Sequence, residues 1–260
     1  MADIDRIKAN IFMHCALPLL KVVKADNKIF DMLFKIPKTT AIVQFRVKDQ
    51  DIGAYMEFKN GELEIVQGIH PKPTVLFAFS SASKMNDFFG GKPAIPDIKC
   101  LLPGLLRLDL IARVVPLLLS LMILLPQNVP TDPAKKAMKV KLLIYMVSCA
   151  LSQLNKSGDE PMMEFAKTSP DRVYQWTVEN GPAAYLRVKA GNTKSGRGTY
   201  ERRRPFVHMI FPDIEGAFKV LTNQVTLVEA IKHGYIKTEG PPEFARDIGI
   251  HMQRIEAMLK

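Results

Sequence analysis

Residues 54–68 read AYMEFKNGELEIVQG, two strand-like runs, Ala54 to Phe58 and Leu63 to Val66, joined by Lys59-Asn60-Gly61. Both runs are short and rich in β-branched and aromatic residues, and an Asn-Gly pair between such runs is a strong hairpin signal, because a tight turn needs residues that accept positive φ. The stretch has an echo. Residues 184–198 read AYLRVKAGNTKSGRG, so Ala54, Tyr55, Lys59, Gly61 and Gly68 are answered by Ala184, Tyr185, Lys189, Gly191 and Gly198 at an offset of 130.

At the same offset Val43 matches Val173, Phe88 matches Phe218 and Gly104 matches Gly234. Three of the matched pairs are glycines lying between apolar runs, where the backbone needs positive φ or a close approach. Turn spacing is kept while side chains drift, which points to a duplicated domain. The 260 residues suit two domains of about 130 each. Between them, Pro126-Gln-Asn-Val-Pro130-Thr-Asp-Pro133 has the composition of a linker. The expected division is residues 1–127 and 128–260.

Each half runs through a similar order of elements. Ile4 to Val23 has a helical apolar period that Pro18 should bend or end. Its counterpart is about Ala134 to Leu154, where YMVSCAL answers FMHCAL. Short amphipathic segments follow at Ile29 to Phe34 and Met162 to Ala166. Thr40 to Val47, Ala54 to Phe58, Leu63 to Val66 and Val75 to Phe79 read as an antiparallel meander. Ser80-Ser81 should cap a helix through Phe89, ended by Gly90-Gly91. A second short element, a brief strand and a closing helix complete the half. In the second half Asn192 to Gly198, NTKSGRG, has lost apolar alternation and weakens one strand.

This order resembles the sterol carrier protein type 2 family of lipid-binding domains. The signature lies in HGYIKTEGPPEFARDIGIHMQRIEAMLK, residues 233–260, with support from residues 54–68 and from FFGGKPAIP, residues 88–96. The resemblance implies an α+β fold of two tandem domains, each an antiparallel or mixed five-stranded sheet covered by helices. It also implies a non-catalytic carrier that holds an apolar ligand, fatty acyl, sterol-like or isoprenoid, in an internal tunnel. By that analogy the lining residues are Phe88, Phe89, Leu105, Leu108, Ile111, Val115, Leu119 and Met122 in the first half, and Phe218, Leu221, Ile236, Phe244, Ile248 and Met252 in the second. The first half departs from the pattern, since Gly104-Leu-Leu-Arg-Leu-Asp lacks the second glycine and Pro116 falls inside its last helix.

The longest apolar run, residues 101–125, is interrupted by Arg107, Asp109 and Arg113, and its charge-free part from Val114 to Leu125 is too short to span a bilayer. A buried helix is expected there, and so apolar a stretch must sit in a core, line a cavity or meet a protein partner or a second copy of the chain. The formal charge of +10 favours anionic surfaces without choosing among them. Lys194, Arg197, Arg202, Arg203 and Arg204 form the densest basic cluster. It is either a solvated loop or a contact for an anionic membrane or an acidic partner, and no nucleic-acid motif accompanies it.

Catalytic signals are weak. The five histidines share no ligand spacing with each other or with Cys15, Cys100 and Cys149, so no metal or other cofactor is expected. Residues 191–197 have the glycines of a phosphate loop, but Arg197 replaces the essential lysine and no helix follows. Three scattered cysteines make no disulfide framework, and the opening does not resemble a signal peptide, so a cytoplasmic protein is expected. An accessory module of a lipid or quinone enzyme complex is the alternative function.

Overall fold

The computed structural model describes residues 3–48, 50–97 and 106–259. They form two compact units that divide between Met122 and Ile123.

In the first unit Asp3 caps α1 (Ile4–Ile11), which continues as a π-helical turn over Phe12–Ala16. Leu17 N–H reaches back five residues to Phe12 O, at 3.0 Å, and Pro18, with no N–H to continue the ladder, opens α2 (Leu19–Asp26). Asn27 caps α3 (Lys28–Lys35). The sheet consists of β1 (Ala41–Val47), β2 (Gly53–Lys59), β3 (Glu62–Gln67) and β4 (Val75–Phe79), in the order β3-β2-β1-β4. Ser81 caps α4 (Ala82–Phe89), and α5 (Leu108–Leu119) runs into a 3₁₀ turn over Ser120–Leu124.

The sheet is not the meander expected from the strand spacing, because β4 lies parallel to β1. Between β3 and β4 the chain must therefore return across the outer face of the sheet. Gly68 N donates to Gly53 O at one end and Thr74 N to Ile42 O at the other. Midway, the buried Gln44 of β1 grips the crossing segment. Its Oε1 accepts from His70 N at 2.7 Å, and its Nε2 donates to Ala54 O and Gly68 O. The other face, built from Val43, Phe45, Val47, Ala54, Met56, Phe58, Val75, Phe77 and Phe79, is buried. Gly61 sits at φ 85°, where a Cβ would lie 2.6 Å from both Lys35 Cα and Phe34 O, so the β2–β3 turn packs directly on α3.

The second unit begins with α6 (Pro133–Lys156), capped by Asp132. By length and composition α6 could cross a membrane, but 61% of its most apolar window is buried, and it packs against Ala183–Lys189, Asn192–Arg197 and Ile214–Leu221 of its own unit. Then come α7 (Glu160–Thr168), β5 (Arg172–Val178), β6 (Ala183–Lys189), β7 (Asn192–Arg197), β8 (Val207–Phe211), α8 (Ile214–Leu221), α9 (Leu227–Lys232), β9 (Lys237–Glu239) and α10 (Pro242–Leu259). The strand order is β7-β6-β5-β8-β9, with β8 parallel to β5. Polar β7 is a full strand despite its composition. Its backbone pairs with β6, Thr193 exchanges hydrogen bonds with Ser152 of α6, and Gly196 leaves room for the Tyr185 ring. Here too a glutamine grips the crossing segment, since Gln175 Oε1 accepts from Tyr200 N at 2.9 Å. Tyr185 meets Tyr200 edge-on at 5.0 Å, as Tyr55 meets His70 at 5.2 Å.

Two expectations change. Five strands were expected per sheet; among the described residues the first sheet has four and the second five. In the first unit the stretch that stands in place of β9, Gly104-Leu-Leu-Arg-Leu-Asp, begins outside the described residues, and its Leu108 already opens α5. The offset of 130 holds for β2 and β3 against β6 and β7, but it is 131 for β1 against β5 and 132 for α4 against α8. Gln44 therefore answers Gln175, Val43 answers Tyr174, and Phe88 answers Val220 in place of Phe218.

Candidate functional site

In the first unit the inner face of the sheet carries a phenylalanine cluster upward into the helices. Phe45 stacks on Phe77 at 5.0 Å, Phe79 meets Phe88 at 5.3 Å, and Phe88, Phe89 and Phe12 follow at 5.4 Å spacings. Strand alternation puts Phe45, Phe77 and Phe79 on one face, and α4 turns Phe88 and Phe89 toward them. Phe45, Phe77 and Phe79 are buried, whereas Phe88 and Phe89 are half-buried, so the aromatic wall reaches the surface.

The long apolar run was expected to form a buried helix and lies differently. Leu110, Val114 and Leu117, at helical spacing, are buried against α2 and α3. Leu108, Val115 and Leu119 project from the opposite side and are 65%, 37% and 55% exposed. A helix apolar all round can bury only the faces its unit covers, and among the described residues of this unit α5 packs on α2 and α3. Ile111 and Met122 are half-buried, and Leu105 lies outside the described residues.

The second unit encloses more. Phe218, Ile236 and Ile248 are buried, while Leu221, Phe244 and Met252 are half-buried. The inner face of its sheet includes Tyr174 and Trp176 of β5, and Phe165 of α7 lies 5.9 Å from the Tyr174 ring and 5.0 Å from that of His251 of α10. Arg172, at the end of the same face, has its guanidinium 4.4 Å from the centre of the Phe206 ring and 3.9 Å from that of Phe244. Asp159 holds α10 down: its carboxylate accepts two bonds from Arg254, at 2.9 and 2.7 Å, and also caps α7. Burial pushes the His251 imidazole below and the Tyr174 phenol above their ordinary pKa values, so both are neutral near pH 7.

Only part of the basic cluster is tied into ion pairs that fix its geometry. Arg203 and Arg187 both pair with Asp171, whose carboxyl is held down at about 2, first by Arg187. Arg204 pairs with Glu239. Asp171, Arg203, Arg204 and Glu239, with Pro205 and Phe206, border an open depression of about 450 Å³. Lys194, Arg197 and Arg202 are exposed, with the Arg197 guanidinium 5.0 Å from the centre of the Tyr145 ring. Two of the five cluster residues, Arg203 and Arg204, thus pair with carboxylates of the chain. Among the described residues no group of three or more His, Cys, Asp or Glu side chains could hold a metal ion.

No family model and no curated protein matches the chain. Among solved structures, apo sterol carrier protein 2 from Yarrowia lipolytica is similar to 40% of this chain over 92% of its own length, at 9% identity and a TM-score of 0.31. Sterol carrier protein 2 like 2 from Aedes aegypti is similar to 45% of this chain over 96% of its own, at 17% identity and a TM-score of 0.29. The sec-alkylsulfatase Pisa1 from Pseudomonas sp. is similar to 69% of this chain over 32% of its own, at 15% identity and a TM-score of 0.27.

Sequence reasoning missed Tyr174, Trp176 and His251 as candidate residues. The strand pattern could have pointed to the first two, because they are large polar-tipped aromatics on the inward face of a strand. His251 has no such signal, since its burial depends on where α10 lies.

Proposed function

We propose that this protein is a non-catalytic lipid-binding protein made of two copies of one domain, each holding an apolar ligand between its sheet and the covering helices. The phenylalanine cluster of the first unit carries this reading. Aromatic rings running continuously from a sheet interior to half-exposed Phe88 and Phe89 form an apolar wall that a fatty acyl, sterol-like or isoprenoid chain could cover. The paired glutamine clamps, Gln44 on His70 and Gln175 on Tyr200, support the duplication, because both solve the same crossing problem at matching positions. Exposed Lys194 and Arg202 support a peripheral contact with an anionic membrane, which is where a carrier would exchange its cargo.

Native mass spectrometry of the protein purified from cells, together with uptake of a fluorescent fatty acid, tests the reading. A co-purifying hydrophobic ligand or saturable uptake is expected. Protein that arrives empty and takes up no fluorescent fatty acid would refute it.

A second reading, an interaction module or accessory subunit of a lipid or quinone enzyme complex, is favoured by exposed Leu106, Leu108 and Leu119. Light scattering after lipid removal separates the two, because this reading requires self-association or loss of solubility and the carrier reading requires neither.

A further inference from the structure

We propose that the open depression at one edge of the second sheet binds a phosphate monoester dianion, the group carried by some lipid headgroups and by small soluble phosphate esters, through Arg203 and Arg204. This site needs no apolar interior, so it stands whether or not either unit carries a lipid.

Sheet topology assembles the site. Strand β8 runs parallel to β5 and antiparallel to β9, so the chain entering β5, the chain entering β8 and the chain leaving β9 meet at one edge. Asp171, Arg203 to Phe206, Glu239 and Gly240 therefore border one depression. Asp171 pairs with Arg187 at 2.7 Å and Arg203 at 2.6 Å, and Glu239 pairs with Arg204 at 3.3 Å and Lys237 at 3.1 Å. Arg172 lies 4.4 Å from the centre of the bordering Phe206 ring and hydrogen-bonds the Tyr174 hydroxyl, with no carboxylate of its own among the described residues. Five cations thus share two carboxylates, an excess of three positive charges. Both carboxyls are held below their ordinary range, Asp171 first by Arg187 and Glu239 first by Lys237, so the count applies at neutral pH.

The arginines differ in how much of each guanidinium is used. Arg187 spends both Nε and Nη2 on Asp171, which fixes the carboxylate in place. Arg203 and Arg204 each reach their carboxylate through Nη2 alone, so among the described residues Nε and Nη1 of both are left to donate elsewhere. Planar forks with spare N–H groups suit phosphate and carboxylate oxygens alike. Charge decides between these, because a phosphate monoester brings close to two negative charges and three acceptor oxygens, against one charge for a carboxylate. The first unit gives an internal contrast. By strand register the positions answering Asp171, Arg172, Arg203 and Arg204 are Thr40, Ala41, Pro71 and Lys72, so the shared fold does not require the cluster.

The test uses the full chain at low salt with two probes, glycerol 3-phosphate followed by calorimetry and phosphatidylcholine vesicles containing phosphatidic acid followed by co-sedimentation. Binding of at least one is expected: the vesicles alone identify a lipid headgroup as the source, and glycerol 3-phosphate identifies a soluble ester. Arg204 is 84% exposed and Glu239 keeps Lys237, so Arg204→Gln should fold as the parent does and weaken binding roughly fivefold. Adding Arg203→Gln should bring the loss to roughly twentyfold, with Asp171 still held by Arg187. Arg202→Gln removes an equal charge from the neighbouring exposed position and should cost less than about twofold. Affinity for glycerol 3-phosphate should rise as the phosphate takes its second charge near about pH 6. Binding of neither probe overturns the inference and leaves the lipid-binding reading standing. So does an Arg202→Gln loss equal to that of Arg204→Gln, which is the mark of a diffuse basic surface.

Discussion

Replacing Asp159 with Ala should loosen the second unit measurably, because one buried carboxylate serves two elements. Its side chain is 4% exposed; Oδ1 accepts from Met162 N at 3.1 Å to cap α7, and both oxygens hold Arg254 of α10. Losing an N-cap costs about 1 kcal/mol. Breaking a buried pair costs roughly 3–5 kcal/mol when the surviving charge stays buried, but Arg254 is about one-third exposed and can recover water, so about 2 kcal/mol is the better figure. The sum is about 3 kcal/mol. Asp159→Asn keeps an oxygen for the cap and should cost about 2 kcal/mol. Urea unfolding followed by tryptophan fluorescence isolates this unit, since Trp176 is the only tryptophan and is buried there. With a slope of about 2 kcal/mol per molar urea, the midpoint should fall by about 1.5 M for Ala and about 1 M for Asn. An Ala midpoint within about 0.3 M of the parent would refute the reasoning.

Gln44→Leu should cost the first unit about 2–3 kcal/mol, because His70 N–H and Gly68 C=O lose a buried partner; faster amide exchange at His70 and a lower melting temperature are the readouts. Gly61→Ala should destabilise the same unit by about 2–4 kcal/mol, since its φ is positive and the added methyl meets α3 backbone; unchanged thermal stability would contradict that packing. Gly249→Ala, in the interior of α10 with open space at its Cβ, should stabilise the second unit by about 0.5–1 kcal/mol in the same urea assay. The folded pKa of Asp171 is depressed to about 2, so its contribution is fully present above the ordinary carboxylate range and is lost as pH falls through about 2. The melting gap between the parent and Asp171→Asn should therefore be constant above about pH 4 and close between about pH 4 and 2; a gap independent of pH would show that the Arg187 and Arg203 pairs add nothing.

The sequence by itself placed the hairpin of residues 54–68, its echo at residues 184–198, and the helices capped by Ser81 and stopped near Gly234. These depend on local chemistry: alternation, turn residues and caps act over a few positions, and each element states them in its own residues. Strand β7 escaped that reading, because Thr193 and Gly196 are explained only by Ser152 and the Tyr185 ring, which come from elsewhere in the chain. The parallel placement of β4 was equally hidden. It depends on Gln44 holding a segment 26 residues away, and a lone glutamine in a strand carries no mark of its partner. The exposure of Leu108 and Leu119 likewise follows from which side of α5 has neighbours, since composition states how apolar a helix is and not how much of it is covered.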